Sequence, residues 1–297
     1  MRLLILGATG LLGHKLWQRL RTRFPDTWCT VRRDRASLAR YGLYNDPRVL
    51  EGVDVADFAA LERLLRQTHP DVVLNCTGIT KRREPAGDPT PSIVLNALLP
   101  HRLAACAATI GARLIGYSTD CVFDGRAGGY TETSPTNAED LYGRTKALGE
   151  ASGANVLILR SSFIGRELED GTELLEWFLA QRGRSIRGFR KALYTGVSTL
   201  HLADLTGDII ERHPALAGLY HVASDVISKH DLLCLARDAF GAAVRIEPDD
   251  TVAIRRNLDG GRLRREIGYV PPAWSSMMTS LARDPTPYDS FRTDHAV

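Results

Sequence analysis

The chain has 297 residues, 44% of them hydrophobic and 25% charged, with a formal net charge of +3. That balance excludes a disordered chain and provides no strongly basic surface from which to argue a nucleic acid or a membrane as partner. Its five cysteines, Cys29, Cys76, Cys106, Cys121 and Cys234, are odd in number and never spaced C-x-x-C, which argues against a disulfide framework or a zinc site and fits a reducing cytoplasm.

The opening "MRLLILGATGLLGHKLWQ" is rich in leucine but interrupted by Gly7, Gly10 and Gly13, with no small-residue cleavage site before His14 and Lys15. It reads as folded structure rather than as a signal peptide. No stretch approaches the ~20 uninterrupted apolar residues of a membrane span.

Through the first 160 residues, apolar runs of strand length alternate with segments of helical period, the pattern of βαβ units around a parallel sheet. Strands are predicted at 2–6, 27–31, 48–52, 71–75, 112–118 and 155–159. The helix opening near Leu11 buries Leu12, Leu16 and Leu20. The next begins after Asp57 as N-cap and stops at Pro70. A third runs from Ser92 to Ile110 and a fourth from Ala138 to Ala151.

Beyond residue 160 the alternation loosens. "TELLEWFLAQ" and "STLHLADLTGDIIERH" predict helices, "GLYHVAS" a strand, and "SKHDLLCLARDAFG" a helix capped by Ser228. The expected organisation is a dinucleotide-binding domain over 1–160, a substrate-binding lobe over 161–283 interleaved with returns to the main sheet, and a frayed tail over 284–297. The fold class is α/β, a Rossmann-type doubly wound parallel sheet with a smaller C-terminal lobe.

"GATGLLG" places Gly7, Thr9, Gly10, Leu11, Leu12 and Gly13 between the first strand and the first helix. Gly7 permits the tight turn, Gly10 lets backbone approach a pyrophosphate, Gly13 lets helix pack on strand, and the helix start offers free N–H groups to an anion. The first gap is one residue longer than in the usual dinucleotide fingerprint. After the second strand stand Arg32 and Arg33, either guanidinium partners for the 2′-phosphate of NADP or solvated loop cations. Asp54, beside Val55, is positioned after the third strand for an adenine amino group, and Cys76, Thr77 and Gly78 follow the fourth.

The fifth strand ends in "YSTDCVFDG", bringing Ser118, Thr119 and Asp120 to the carboxyl edge where ligands of such sheets bind. Further on, "YGRTKALGE" sets Tyr142 and Lys146 four positions apart, ~6 Å along one helix face. An ammonium ~4 Å from a phenol at an effective dielectric of ~20 is worth ~4 kcal/mol, about three pKa units. Lys146 is therefore expected to lower the pKa of Tyr142 towards neutrality, and also to hold the nicotinamide ribose. Thr119 would hydrogen-bond the substrate oxygen. Asn96 either bonds a backbone carbonyl, orders a water beside the cofactor, or is simply exposed. In the second lobe Arg182, Arg184, Arg187, Arg190 and Lys191 are a solvated face or partners for a diphosphate. Trp177 and Phe178 are read as core.

"GATGLLG", "STDCVFDG", "YGRTKALGE" and "LRSSFIG" together resemble the extended short-chain dehydrogenases/reductases, and more narrowly the dTDP-4-dehydrorhamnose reductase and sugar-nucleotide reductase family. The resemblance is strong over residues 1 to about 165, and "TLHLADL" and "GLYHVAS" extend it. It implies Thr119, Tyr142 and Lys146 as the catalytic triad, with Ser118, Thr119, Asp120 and Ser161 as substrate contacts. The implied cofactor is NADPH, with NADH as alternate, and the implied substrate a nucleotide-diphosphate sugar; a homodimer is admissible, and no metal is called for. The family's Tyr after the Thr-Asp pair is Cys121 here. A sugar-nucleotide 4-epimerase is the alternative enzyme. The alternative of another class is a non-catalytic NADP-binding subunit resembling the β subunit of methionine adenosyltransferase.

Overall fold

The computed structural model describes residues 1–82, 88–169 and 171–291. Its main sheet is built from β1 (Leu3–Leu6), β2 (Thr27–Thr30), β3 (Val49–Leu50), β4 (Val72–Asn75), β5 (Arg113–Ser118) and β6 (Val156–Arg160). Later in the chain come β7 (Phe163–Ile164), β8 (Ser185–Tyr194), β9 (Val197–Ser198), β10 (Gly218–His221), β11 (Ile227–Ser228) and β12 (Arg245–Arg255). Of these only β10 joins the main sheet, whose order is β10-β6-β5-β4-β1-β2-β3 with every pairing parallel. β1, β4 and β6 are buried along their whole length, as continuous apolar runs must be when helices cover both faces of a parallel sheet. The chain winds outward in opposite directions from β1 and β4, so a crevice opens between their carboxyl ends.

The covering helices are α1 (Gly13–Arg23), α2 (Phe58–Thr68), α3 (Thr90–Ser92), α4 (Leu99–Thr109) and α5 (Leu141–Leu148). The second lobe contributes α6 (Leu174–Leu179), α7 (Thr199–Arg212), α8 (Lys229–Phe240), α9 (Gly261–Ile267) and α10 (Trp274–Ala282). Between α3 and α4 the chain is π-helical over Ile93–Leu98, so the third predicted helix is one rod with a widened turn that contains Asn96. Asp57 caps α2 by accepting from Ala60 N at 2.9 Å. Ser228 caps α8 through Asp231 N at 3.0 Å. No helix among the described residues is long and apolar enough to cross a membrane.

The second lobe carries a three-stranded sheet, β11-β8-β12, none of whose strands is among those expected from the sequence. β8 and β12 mix exposed with half-buried residues, and Arg, Lys, Glu and Asp are among the exposed positions, so charge interrupts most of their length. Across the sheet Arg187 meets Asp249 at 3.4 Å and Arg190 meets Asp250 at 3.0 Å. Phe178 is fully buried and Trp177 packs on the core, as read.

The expected frayed tail is a correction as far as Phe291, while 292–297 lie outside the described residues. Asp284 and Lys15 form an ion pair at 2.5 Å with both side chains at most 3% exposed. Tyr288 meets His14 at 2.8 Å, and Phe291 packs edge-on to Tyr41. Pro285, Pro287 and polar neighbours suggested disorder, but the segment is a strap held by buried contacts with α1.

Candidate active site

The crevice is built first by glycine geometry. At Gly7 φ is +79°, and a Cβ there would lie 2.9 Å from Thr77 Cγ2; one on Gly13 would lie 2.1 Å from the Gly7 carbonyl oxygen. Strand, turn and helix therefore close on each other only without side chains at these positions. Gly10 differs, because its Cβ would meet no protein atom nearer than 3.5 Å and Gly10 lines a cavity of about 320 Å³. No side chain caps the start of α1; His14 N and Lys15 N donate to the Gly10 and Leu12 carbonyls at 3.1 and 3.0 Å, so the N–H groups offered to an anion are those of Leu11, Leu12 and Gly13.

Leu11, Leu12, Cys76, Thr77 and Gly78 line the same cavity. Asn75 Oδ1 accepts from the Thr77 hydroxyl at 2.6 Å and so shapes this wall. Asn96 is buried and clamps the backbone of Ile79, accepting from its N–H and donating to its carbonyl, both at 2.9 Å. Of the roles weighed for Asn96, backbone bonding is the one the geometry contains.

The outer cofactor residues are less gathered. Arg32, Arg33, Asp54 and Val55 follow β2 and β3 but do not line the cavity. Arg33 is paired with Glu169, and Asp54 accepts from Ala56 N at 2.9 Å. Arg32 is exposed.

Tyr142, Lys146, Thr119, Asp120 and Ser161 all line the 320 Å³ cavity. Thr119 extends from the end of β5, its Oγ1 accepting from Cys121 N at 3.1 Å and donating to Asp120 Oδ1 at 3.3 Å. α5 is seated closely on this loop: a Cβ on Gly143 would lie 2.2 Å from the Cys121 carbonyl oxygen. Asp140 caps α5 through Gly143 N at 2.8 Å. Gly143, the neighbour of Tyr142, is thus a positioning residue that the motif reading passed over.

The expected electrostatics of the pair are corrected here. Burial pushes the Tyr142 phenol well above its usual range; Cys121, Asp120 and Glu173 add to the rise, and only the neighbouring Thr119 opposes it. The Lys146 ammonium donates to the Tyr117 carbonyl at 2.7 Å, and burial pushes its pKa down to about 8 against the pull of Glu150. Helical spacing puts the two residues on one face without fixing where a flexible four-carbon arm ends. The chemical consequence is a phenol that stays protonated across neutral pH, a proton donor in its resting form.

Ser118 is a second correction. Its hydroxyl donates to Glu150 Oε1 at 2.6 Å, and Glu150 is held by Arg160 through bonds of 2.9 and 2.6 Å. Arg160 also meets His221 at 2.9 Å. Ser118 lines neither cavity described here and belongs to a network joining β5, β6 and β10 through Glu150, which follows α5. Ser161 reaches the cavity while donating to the Val222 carbonyl at 2.8 Å.

A second cavity, of about 260 Å³, adjoins the first and shares Leu11, Asp120, Cys121, Ser162, Phe163 and Glu173 with it. Tyr194, Lys229 and Arg256 line it as well. Burial lowers the Lys229 pKa, with Arg82 adding to the effect. Arg256 donates to the Phe123 carbonyl at 3.0 Å. Burial raises the Asp120 carboxyl, with Arg256 pulling it back. The sequence reading missed all of these except Asp120, and the five cations it named from 182 to 191 line neither cavity. Glu173, Tyr194, Lys229 and Arg256 come from four separate stretches, so no local spacing marks them.

The sequence profile of the RmlD substrate binding domain family matches residues 1–281. Methionine adenosyltransferase 2 subunit beta of Xenopus tropicalis is 28% identical over 93% of this chain and 80% of its own length. dTDP-4-dehydrorhamnose reductase of Mycobacterium tuberculosis H37Rv is 34% identical over 44% of this chain and 46% of its own. Among solved structures, the dTDP-4-dehydrorhamnose reductase of Bacillus anthracis in complex with NADP superposes with a TM-score of 0.77. It covers 94% of this chain and 98% of that one at 20% identity, a likeness of fold.

Proposed function

The chain belongs to the RmlD substrate binding domain family, and from that premise we propose that it reduces a nucleotide-diphosphate-linked keto-sugar with NADPH. The observation that carries this reading is Tyr142 beside Thr119 and Lys146, in a cavity that runs from the uncapped start of α1 to a second cavity bearing Lys229 and Arg256. The N–H groups of Leu11, Leu12 and Gly13 at the start of α1 and the backbone from Cys76 to Gly78 would hold the cofactor's diphosphate and its neighbourhood. Arg32 would meet the 2′-phosphate, and Lys146 the nicotinamide ribose. When bound, the cofactor supplies hydride.

Thr119 directs the substrate carbonyl oxygen towards Tyr142, and the phenol gives its proton to that oxygen as negative charge develops. The raised pKa keeps the proton on Tyr142 before the reaction, and it also makes the phenol a weaker acid, so the driving force for transfer to the developing alkoxide is smaller than from an ordinary phenol. Lys229 and Arg256 would face the substrate's diphosphate. The B. anthracis complex with NADP supports the cofactor assignment, with NADH as alternate.

A second reading has its own support, since the beta subunit of methionine adenosyltransferase 2 matches along most of the chain. On that reading the protein is a cofactor-binding subunit that acts through a partner. Incubating the purified chain with NADPH and dTDP-, UDP- and GDP-linked 4-keto-6-deoxysugars separates the two. Oxidation of NADPH supports the reductase. NADPH binding without turnover, together with altered activity of a methionine adenosyltransferase catalytic subunit, supports the alternative.

A further inference from the structure

Glu173 stands where the two cavities meet and lines both. It directly precedes α6, yet its side chain does not cap that helix. Its backbone N–H is spent on Glu167 Oε2 at 2.7 Å. Its Oε1 is buried and has no hydrogen-bond partner among the described residues. The hydroxyl of Tyr194, on the wall of the second cavity, is in the same condition, and its ring is fixed by edge-on packing against Trp274 at 5.6 Å between centroids. Folded proteins satisfy nearly all buried polar atoms internally. Two orphaned groups of complementary kind in one cleft therefore point to partners supplied by a ligand.

The chemistry of the two groups restricts that ligand. An ionised carboxylate only accepts hydrogen bonds, whereas a phenol donates or accepts. A phosphate or carboxylate beside Glu173 would bring like charge and no proton to share. A hydroxyl or ammonium would satisfy it. Anionic parts of a ligand are favoured beside Lys229 and Arg256, which line the second cavity and not the first. The cleft thus offers cations in the second cavity and an acceptor-only carboxylate at its junction with the cavity of Tyr142, whose phenol Glu173 helps keep protonated.

We propose that Glu173 and Tyr194 form a subsite that reads hydroxyl or amino groups on the substrate's sugar ring, with Glu173 as a specificity-determining residue. The proposal rests on the keto-sugar reductase reading and adds to it which ring substituents the site selects. The ring portion next to the reacting carbonyl must carry a hydrogen-bond donor. A ring stripped of that donor leaves the Glu173 carboxylate unsatisfied and binds poorly.

The test compares Glu173→Leu, Glu173→Gln and Tyr194→Phe with the wild type in two readouts: thermal midpoint without ligands, and KM and kcat for dTDP-4-dehydrorhamnose with NADPH. A group kept for a ligand is not needed by the fold, so the expected midpoints equal or exceed the wild-type value. KM is expected to rise about tenfold in Glu173→Leu and about threefold in Tyr194→Phe, by a larger factor than kcat falls. Midpoints several degrees lower, or an unaltered KM, would overturn the subsite. Should the wild type bind NADPH but reduce no keto-sugar, the reductase reading fails. The midpoints then still decide the subsite: a fall overturns it, and equality or a rise supports a site held open for a ligand.

Discussion

Lys15 and Tyr142 are both polar side chains carried inward by helices that flank the crevice, and their surroundings differ in kind. The Lys15 ammonium spends its donors on Asp284 at 2.5 Å, Gln18 at 2.6 Å and Thr286 at 3.2 Å. Its neighbour His14 bonds the Gly10 carbonyl and Tyr288, both at 2.8 Å, and burial pushes its pKa down to about 3, so it stays neutral. The two cavities at Tyr142 differ: Thr80, Glu173 and Tyr194 line them, and each buries an oxygen with no hydrogen-bond partner among the described residues. Buried polarity that is ion-paired inside the chain is architecture, here a strap fastening the C-terminal segment to the helix that opens the cradle. Oxygens without a partner that line a cavity are open to a partner supplied by a ligand.

That contrast can be broken by substitution. Tyr142→Phe should lower kcat by about 10³-fold, within the range for loss of a positioned acid, while the thermal midpoint stays put because the ring still fills its place. Steady-state kinetics and melting curves check both halves. Asp284→Ala should do the opposite, costing about 3 kcal/mol in denaturant unfolding by leaving Lys15 charged and unpaired, with kcat of the folded fraction retained. A lost kcat in that variant would mean that the strap takes part in the chemistry.

The pH dependence sharpens the comparison further. With the phenol raised and Lys146 at about 8, the basic limb of kcat/KM should fall as pH rises through about 8, because the ammonium that holds the cofactor is then lost. In Lys146→Arg, which keeps its charge, that limb should move out of range. A limb that persists there belongs to another group. The smallest effect is expected at Arg32: replacing it with Ala should narrow the preference for NADPH over NADH about threefold, read as the ratio of the two dissociation constants. Arg33→Ala should narrow it less, since its guanidinium is already paired with Glu169.

Much of the first region was legible before any coordinates. β1, β4, β5 and β6 are apolar runs because both sheet faces are covered, and the glycine spacing at 7, 10 and 13 announces a turn that only close backbone approach explains. Thr119 and Tyr142 were found because their spacing from strand end to helix is local. β8 and β12 escaped because strands of a half-exposed sheet hide their periodicity under charge. The strap escaped because composition records prolines and polar residues but not the buried partners they meet. Glu173 and Tyr194 matter through contacts between stretches far apart in sequence, and the direction in which Lys146 extends its ammonium is set by a carbonyl 29 positions away.

The central claim is that Tyr142 completes a hydride reduction begun from NADPH in the cavity at the end of β5. Its most direct test is a single turnover with NADPH carrying deuterium at the transferable C4 position and dTDP-4-dehydrorhamnose in limiting amount, with the sugar nucleotide analysed by mass spectrometry. The expected result is a product alcohol bearing deuterium on the former carbonyl carbon with the wild type, and unreacted keto-sugar with Tyr142→Phe. Bound but unoxidised NADPH with the wild type, or labelled alcohol formed at the wild-type rate by Tyr142→Phe, would contradict the account.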